Sequence, residues 1–113
     1  MEIKETINEF IKTRKYNKSK NATAYAASVG YDTQFIESVL LNNHSDTLKF
    51  LKQATAEEIA ISIEALEALI KKFNDSEIIK IFEEKGKEFP NIEEISEYDY
   101  FETIEESKKL LNR

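Results

Sequence analysis

His44 stands two residues before Asp46, the one place where this chain sets an imidazole beside a carboxylate. Such a pair can work as a general base with its orienting acid, or lend two ligands to a metal. The surroundings favour neither use. Asn42 and Asn43 precede the pair in what reads as a polar connection between helices, where a solvated imidazole is the expected state. With no Cys there is no thiolate nucleophile, no zinc–thiolate site and no disulfide framework. Carboxylates are plentiful, 22 in all, but acid–base chemistry needs two in one pocket with separated pKa values, and no spacing marks such a pair. The spacing of an EF-hand loop is absent, and the two glycines, Gly30 and Gly86, are too few and too far apart for a P-loop or a dinucleotide fingerprint. We therefore expect a non-enzymatic protein with no catalytic residues, no metal and no cofactor.

The remaining chemistry is charge. All five charged residues from Lys12 to Lys20 are positive, and Arg14, Lys15, Lys18 and Lys20 are candidates to neutralise phosphates. Residues 1–54 carry a net charge of +2 and residues 55–113 a net of -8, so the two halves suit different neighbours. In the acidic half, Glu93, Glu94, Glu97, Asp99 and Glu102 enclose Tyr98, Tyr100 and Phe101. Aromatic rings among acids can anchor an interface toward which charge steers a basic partner. Glu57, Glu58, Glu64 and Glu67 are further acidic candidates, although mixed charge is also what any solvated helix face carries.

The elements that position these residues all read as helices. Ile3, Ile7, Phe10 and Ile11 make one apolar face, which fades into the basic stretch. A second helix opens at Asn21 or Thr23, turns Tyr25, Ala26 and Val29 inward and ends at Gly30. Asp32 is placed to cap a third, with Phe35, Ile36, Val39 and Leu40, and Asp46 a short fourth, with Leu48, Phe50 and Leu51. Thr55 and Glu58 have capping-box spacing ahead of Ile59, Ile63, Leu66, Ile70 and Phe73. That four-three repeat predicts either a core stripe or a two-heptad dimer seam, and the core is favoured. Asp75 or Ser76 starts another helix with Ile78, Ile79 and Phe82, and Pro90 stops it. Asn91 with Glu94 and Asp99 with Glu102 open the last two, the second turning Phe101, Ile104 and Leu111 inward. The expectation is one all-α domain over residues 1–113: six or seven short helices in a compact bundle.

Residues 22–41, ATAYAASVGYDTQFIESVLL, read as two helices around a tight turn. Ala26 is small enough for a steep crossing, and Gly30 is free to adopt positive φ at the corner. An ordinary helical corner has the same signature, but the stretch resembles a helix-turn-helix. On that resemblance the helix opening at Asp32 would read bases through Thr33, Gln34 and Ser38, since Gln can bond adenine and Thr a base edge or phosphate. Against it, no Arg or Lys lies between Lys20 and Lys49, and Asp32 and Glu37 would repel phosphate. The run from Asn21 to Asp32, with Leu40-Leu41-Asn42-Asn43, is similar to the N-terminal region of phage terminase small subunits, over roughly a quarter of the chain. That resemblance implies a helical domain engaging viral DNA. Val29 and Asp32 depart from it, standing where the family often has Ala and Ser.

Two functions follow as expectations. One is a DNA-binding or regulatory protein built on a helix-turn-helix-like module in residues 1–54, with the acidic half for packing or self-association, including a possible homodimer. The alternative is a small acidic helical inhibitor, of the immunity-protein, antitoxin or phage-inhibitor kind. It would meet a basic protein partner through Glu93, Glu94, Glu97, Tyr98, Asp99 and Tyr100. Charges interrupt every apolar run short of a membrane span, and the first ten residues lack the features of a signal peptide. A cytoplasmic protein is expected, and the bias toward Lys, Ile, Asn and Glu suggests a bacterial or phage genome rich in A and T.

Overall fold

The computed structural model describes residues 2–112, apart from the side chains of Ala22, Ala24 and residues 26–31. It is all-α: α1 (Ile3–Lys20), α2 (Ala22–Leu41), α3 (His44–Lys52), α4 (Ala56–Ser62), α5 (Leu66–Phe73), α6 (Ser76–Glu88), α7 (Ile92–Ile95) and α8 (Tyr100–Lys108). Among the described residues there is no strand. A 3₁₀ turn at Ile63–Ala65 joins α4 to α5 end to end, so the two act as one bent rod. The accessible surface of 6682 Å² is close to the roughly 6,400 Å² that area scaling gives for a chain of this mass.

The rod is the axis of the molecule. From Glu58 to Leu66 every side chain is buried, because α1, α2, α6 and α7 surround it. A helix covered on all sides carries apolar residues around its full circumference. Here Ile59, Ala60, Ile61, Ile63, Ala65 and Leu66 supply them. The heptad positions Ile59, Ile63, Leu66 and Ile70 are 0–1% exposed, so that seam is spent in the chain's own core rather than offered to a second copy. Ile7 from α1, Ile36 and Leu40 from α2, Leu51 from α3, Ile78 and Phe82 from α6, and Tyr100 and Ile104 from α8 complete one contiguous cluster.

The start of the rod is fixed locally. Thr55 Oγ1 accepts the Glu58 N–H at 3.2 Å while Glu58 Oε1 accepts the Thr55 N–H at 2.8 Å, the reciprocal capping box its sequence predicts. Asp75 and Asp99 cap α6 and α8 by accepting the N–H groups of Glu77 and Glu102. Phe89, which precedes Pro90, is extended and closes α6. At α3 the cap is Asn43, whose Oδ1 accepts the Asp46 N–H at 3.0 Å, so Asp46 lies inside the first turn and not before it.

Two expectations about the N-terminal half change. The helix α1 does not fade in the basic stretch but continues to Lys20. Asp32, expected to cap a separate helix, lies within the span of α2 and is buried beside Arg14. The side chains expected around a corner at Gly30, those of Ala26, Val29 and Tyr31, lie outside those described. In α8 the inward face is Tyr100, Ile104 and Ser107, and Phe101 is 45% exposed. This reverses the expected burial of Phe101. Asp99 caps the helix where the sequence predicts, but the face that packs inward is the one carrying Tyr100, Ile104 and Ser107.

Candidate interaction surfaces

Among the candidate phosphate contacts, Arg14 is elsewhere employed. It is 6% exposed, and its two terminal nitrogens donate to Glu64 Oε2 at 2.6 Å and Oε1 at 2.9 Å. Its Nε lies 3.5 Å from Asp32 Oδ2. Thr33 Oγ1 donates to Glu64 Oε1 at 2.8 Å. Burial opposes the guanidinium charge, but the hydrogen bond and charge of Glu64, with Asp32 behind them, outweigh it and hold its pKa above the ordinary arginine value. Arg14 therefore ties α1 and α2 to the 3₁₀ turn and cannot reach phosphate without leaving two carboxylates buried and unpaired. Thr33, half-buried on Glu64, is likewise turned away from the role of base contact.

The lysines of α1 stay outside. Lys15 pairs with Glu57 at 2.6 Å, both being half or more exposed. Lys18 lies over the Tyr25 ring at 5.5 Å, and Lys20 over the Tyr16 ring at 5.6 Å. Gln34 and Ser38 are exposed on α2, where the Ser38 hydroxyl donates to the Gln34 carbonyl. Ser38 lines a groove of about 750 Å³ between α1, α2 and α3, with Ile3, Val39 and Phe50 among its walls. Arg14, Lys15 and Lys18 line a different cleft, of about 120 Å³, together with Ile11, Tyr25, Glu57, Ile61 and Glu97. The expected base-reading and phosphate-binding residues thus do not converge on one concavity.

The acidic candidates divide in the same way. Glu93 accepts the N–H groups of Tyr100 at 3.3 Å and Phe101 at 3.0 Å, and Asp99 caps the same helix, so both are occupied in holding α8. Tyr100 is fully buried, with its hydroxyl donating to the Phe82 carbonyl at 2.6 Å. That placement removes it from the expected contact set, and burial pushes its phenol well above the usual tyrosine range. Glu94, Glu97 and Tyr98 are exposed, as sequence leads one to expect. Ile95 and Phe101 join them at the surface. Phe101 is among the rings the acidic run encloses in sequence but is expected in the core, and nothing in the sequence marks Ile95 as a contact. Tyr25 also reaches this region, its hydroxyl donating to Glu97.

The histidine pairs across the fold instead of along the chain. His44 Nε2 is 2.8 Å from Asp75 Oδ2, and the ring stacks on Phe73 with centroids 4.4 Å apart. Asp46 takes no part. Among the described residues no three His, Asp or Glu side chains gather as a metal site would require, and no helix is long and apolar enough to cross a membrane. Set against known proteins, the chain matches no family model, no curated protein and no solved structure.

Proposed function

We propose that this protein binds a basic protein partner through α7, the α7–α8 connection and the first turn of α8. One observation carries the reading. Ile95, Tyr98 and Phe101 are 36%, 39% and 45% exposed while Glu94, Glu97 and Glu102 around them face solvent. Apolar anchors inside an acidic rim are what a charge-steered protein interface uses: the rim sets the encounter rate, and the anchors set the lifetime. The -8 net charge of residues 55–113 supplies the attracting field.

A labelled amphipathic peptide of leucine and lysine, helical in solution, is a suitable probe for fluorescence anisotropy. Binding that weakens at least about tenfold in Y98A/F101A, the loss of one good anchor, supports the reading. Unchanged affinity in that variant sinks it. A second reading, nucleic-acid binding, retains one favouring observation. Lys12, Lys18 and Lys20 are exposed and, among the described residues, in no ion pair. Together with the terminase-like segment this supports non-specific contact with DNA phosphates. Anisotropy against mixed duplex DNA from about 50 to 200 mM salt decides it, since phosphate contacts give a steep salt slope. No binding at the lower salt ends that reading.

A further inference from the structure

The cleft between the α1–α2 junction and α4 contains both signs of charge in a small space. Glu57 and Glu97 line it with Ile11 and Ile61, and Arg14, Lys15 and Lys18 line it from α1. Lys15 is engaged with Glu57, Tyr25 donates to Glu97, and Lys18 lies over the same Tyr25 ring. Lys15 of the chain's own basic helix thus covers Glu57, while Tyr25, with Lys18 over its ring, covers Glu97. A lysine side chain suits such a place, because its aliphatic stem packs on Ile11 and Ile61 while its ammonium meets the carboxylates.

We propose that this contact is autoinhibitory: Lys15 and Lys18 occupy, within the chain, the place that a lysine or arginine side chain of the basic partner takes on binding. The inference rests on the partner-binding reading above and adds a subsite and its competitor. Lys15 and Glu57 are 66% and 50% exposed, and an ion pair so exposed is weak enough to exchange for an incoming cation. The barrier it adds to binding is correspondingly modest.

The test uses the full chain and the leucine–lysine peptide. K15A/K18A is compared with K12A/K20A, which removes the same charge from the same helix outside the cleft. E57Q/E97Q is compared with E105Q/E106Q, which removes the same charge from exposed positions on α8. Circular dichroism establishes that all four fold. K15A/K18A should bind about threefold tighter than K12A/K20A, and E57Q/E97Q about threefold weaker than E105Q/E106Q, the scale of an exposed ion pair. Equal affinities within both comparisons, with binding still dependent on Tyr98 and Phe101, overturn the competition and leave the partner reading standing. No peptide binding by the parent chain or any variant overturns both.

Discussion

Arg14 and Glu64, 50 positions apart in the chain, meet in a two-bond fork at 2.6 and 2.9 Å inside the protein. The fork joins the middle of α1 to the 3₁₀ turn, and Asp32 and Thr33 bring α2 to the same point. Two carboxylates share one guanidinium, so every group depends on the others for its solvation.

Removing the cation should therefore cost more than any surface lysine could. R14M is expected to lose about 3–5 kcal/mol of unfolding free energy, the usual penalty for stranding buried charge. Adding E64M removes the stranded carboxylate and should recover much of the loss. Urea denaturation of the two variants checks this. A loss under about 0.5 kcal/mol in R14M, as for an ordinary surface substitution, would contradict the buried fork.

Glu58 supplies an acid-sensitive contact. Burial alone would raise its pKa, but the Thr55 N–H, Lys4 and Asn8 together lower it below the ordinary 4.5. With the folded value depressed, its contribution is complete above pH 4.5 and is lost as pH falls through the folded pKa. Parent and E58Q stability curves should converge as the medium is acidified from neutrality to about pH 3, since one pKa unit is worth about 1.4 kcal/mol. Parallel curves would show that Glu58 is not held as described.

Tyr100 gives the opposite dependence. Its phenol is raised above the ordinary 10.0 by burial, so the unfolded chain loses this proton first as the medium becomes alkaline. The stability it contributes is present below pH 10 and declines as pH rises toward the folded value. Y100F should be less stable at neutral pH by about 1 kcal/mol, for the bond to Phe82, yet lose less between pH 9 and about pH 11. Chemical denaturation across that range reads both effects.

Gly86 is required for room. A Cβ there would lie 2.8 Å from Phe101 Cε1 and 2.9 Å from Tyr100 Cε1. Phe101 can swing outward, but Tyr100 is buried and hydrogen-bonded and cannot. Alanine normally strengthens a helix interior by about 1 kcal/mol over glycine. Here G86A should instead destabilise by about 1–2 kcal/mol, as overpacked sites do. It should also weaken peptide binding by displacing Phe101. A gain in thermal midpoint would refute the close packing of α6 on α8.

What the sequence makes legible is what helices settle within one or two turns. The capping box at Thr55 and Glu58, the caps at Asp75 and Asp99, and the core stripe from Ile59 to Ile70 can be read because their partners are two to four residues away. Arg14 could not, since its partners lie 18 and 50 positions off and the other charged residues of its stretch, Lys12, Lys15, Lys18 and Lys20, are exposed cations. Tyr100 and Phe101 were exchanged for a subtler reason. Both are aromatic, and neighbouring helix positions point about 100° apart, so the cap at Asp99 sets where α8 begins without saying which of the two rings faces the core. Glu93 looked like an interface acid because its partners are backbone N–H groups, to which side-chain identity gives no clue.

The buried rod has a consequence for how the chain can be divided. Ile7, Ile36, Leu40 and Leu51 from the basic half meet Ile59, Ile63 and Leu66 from the acidic half in one cluster. A cut between Ala54 and Thr55 would strip the first fragment of its support and leave the second with its central helix open to water. Neither piece would keep a native fold by itself, yet mixed together they present matching halves of one interior. The two fragments should therefore reassemble into a noncovalent whole, and the contrast in charge along the sequence marks two surfaces of a single cooperative unit.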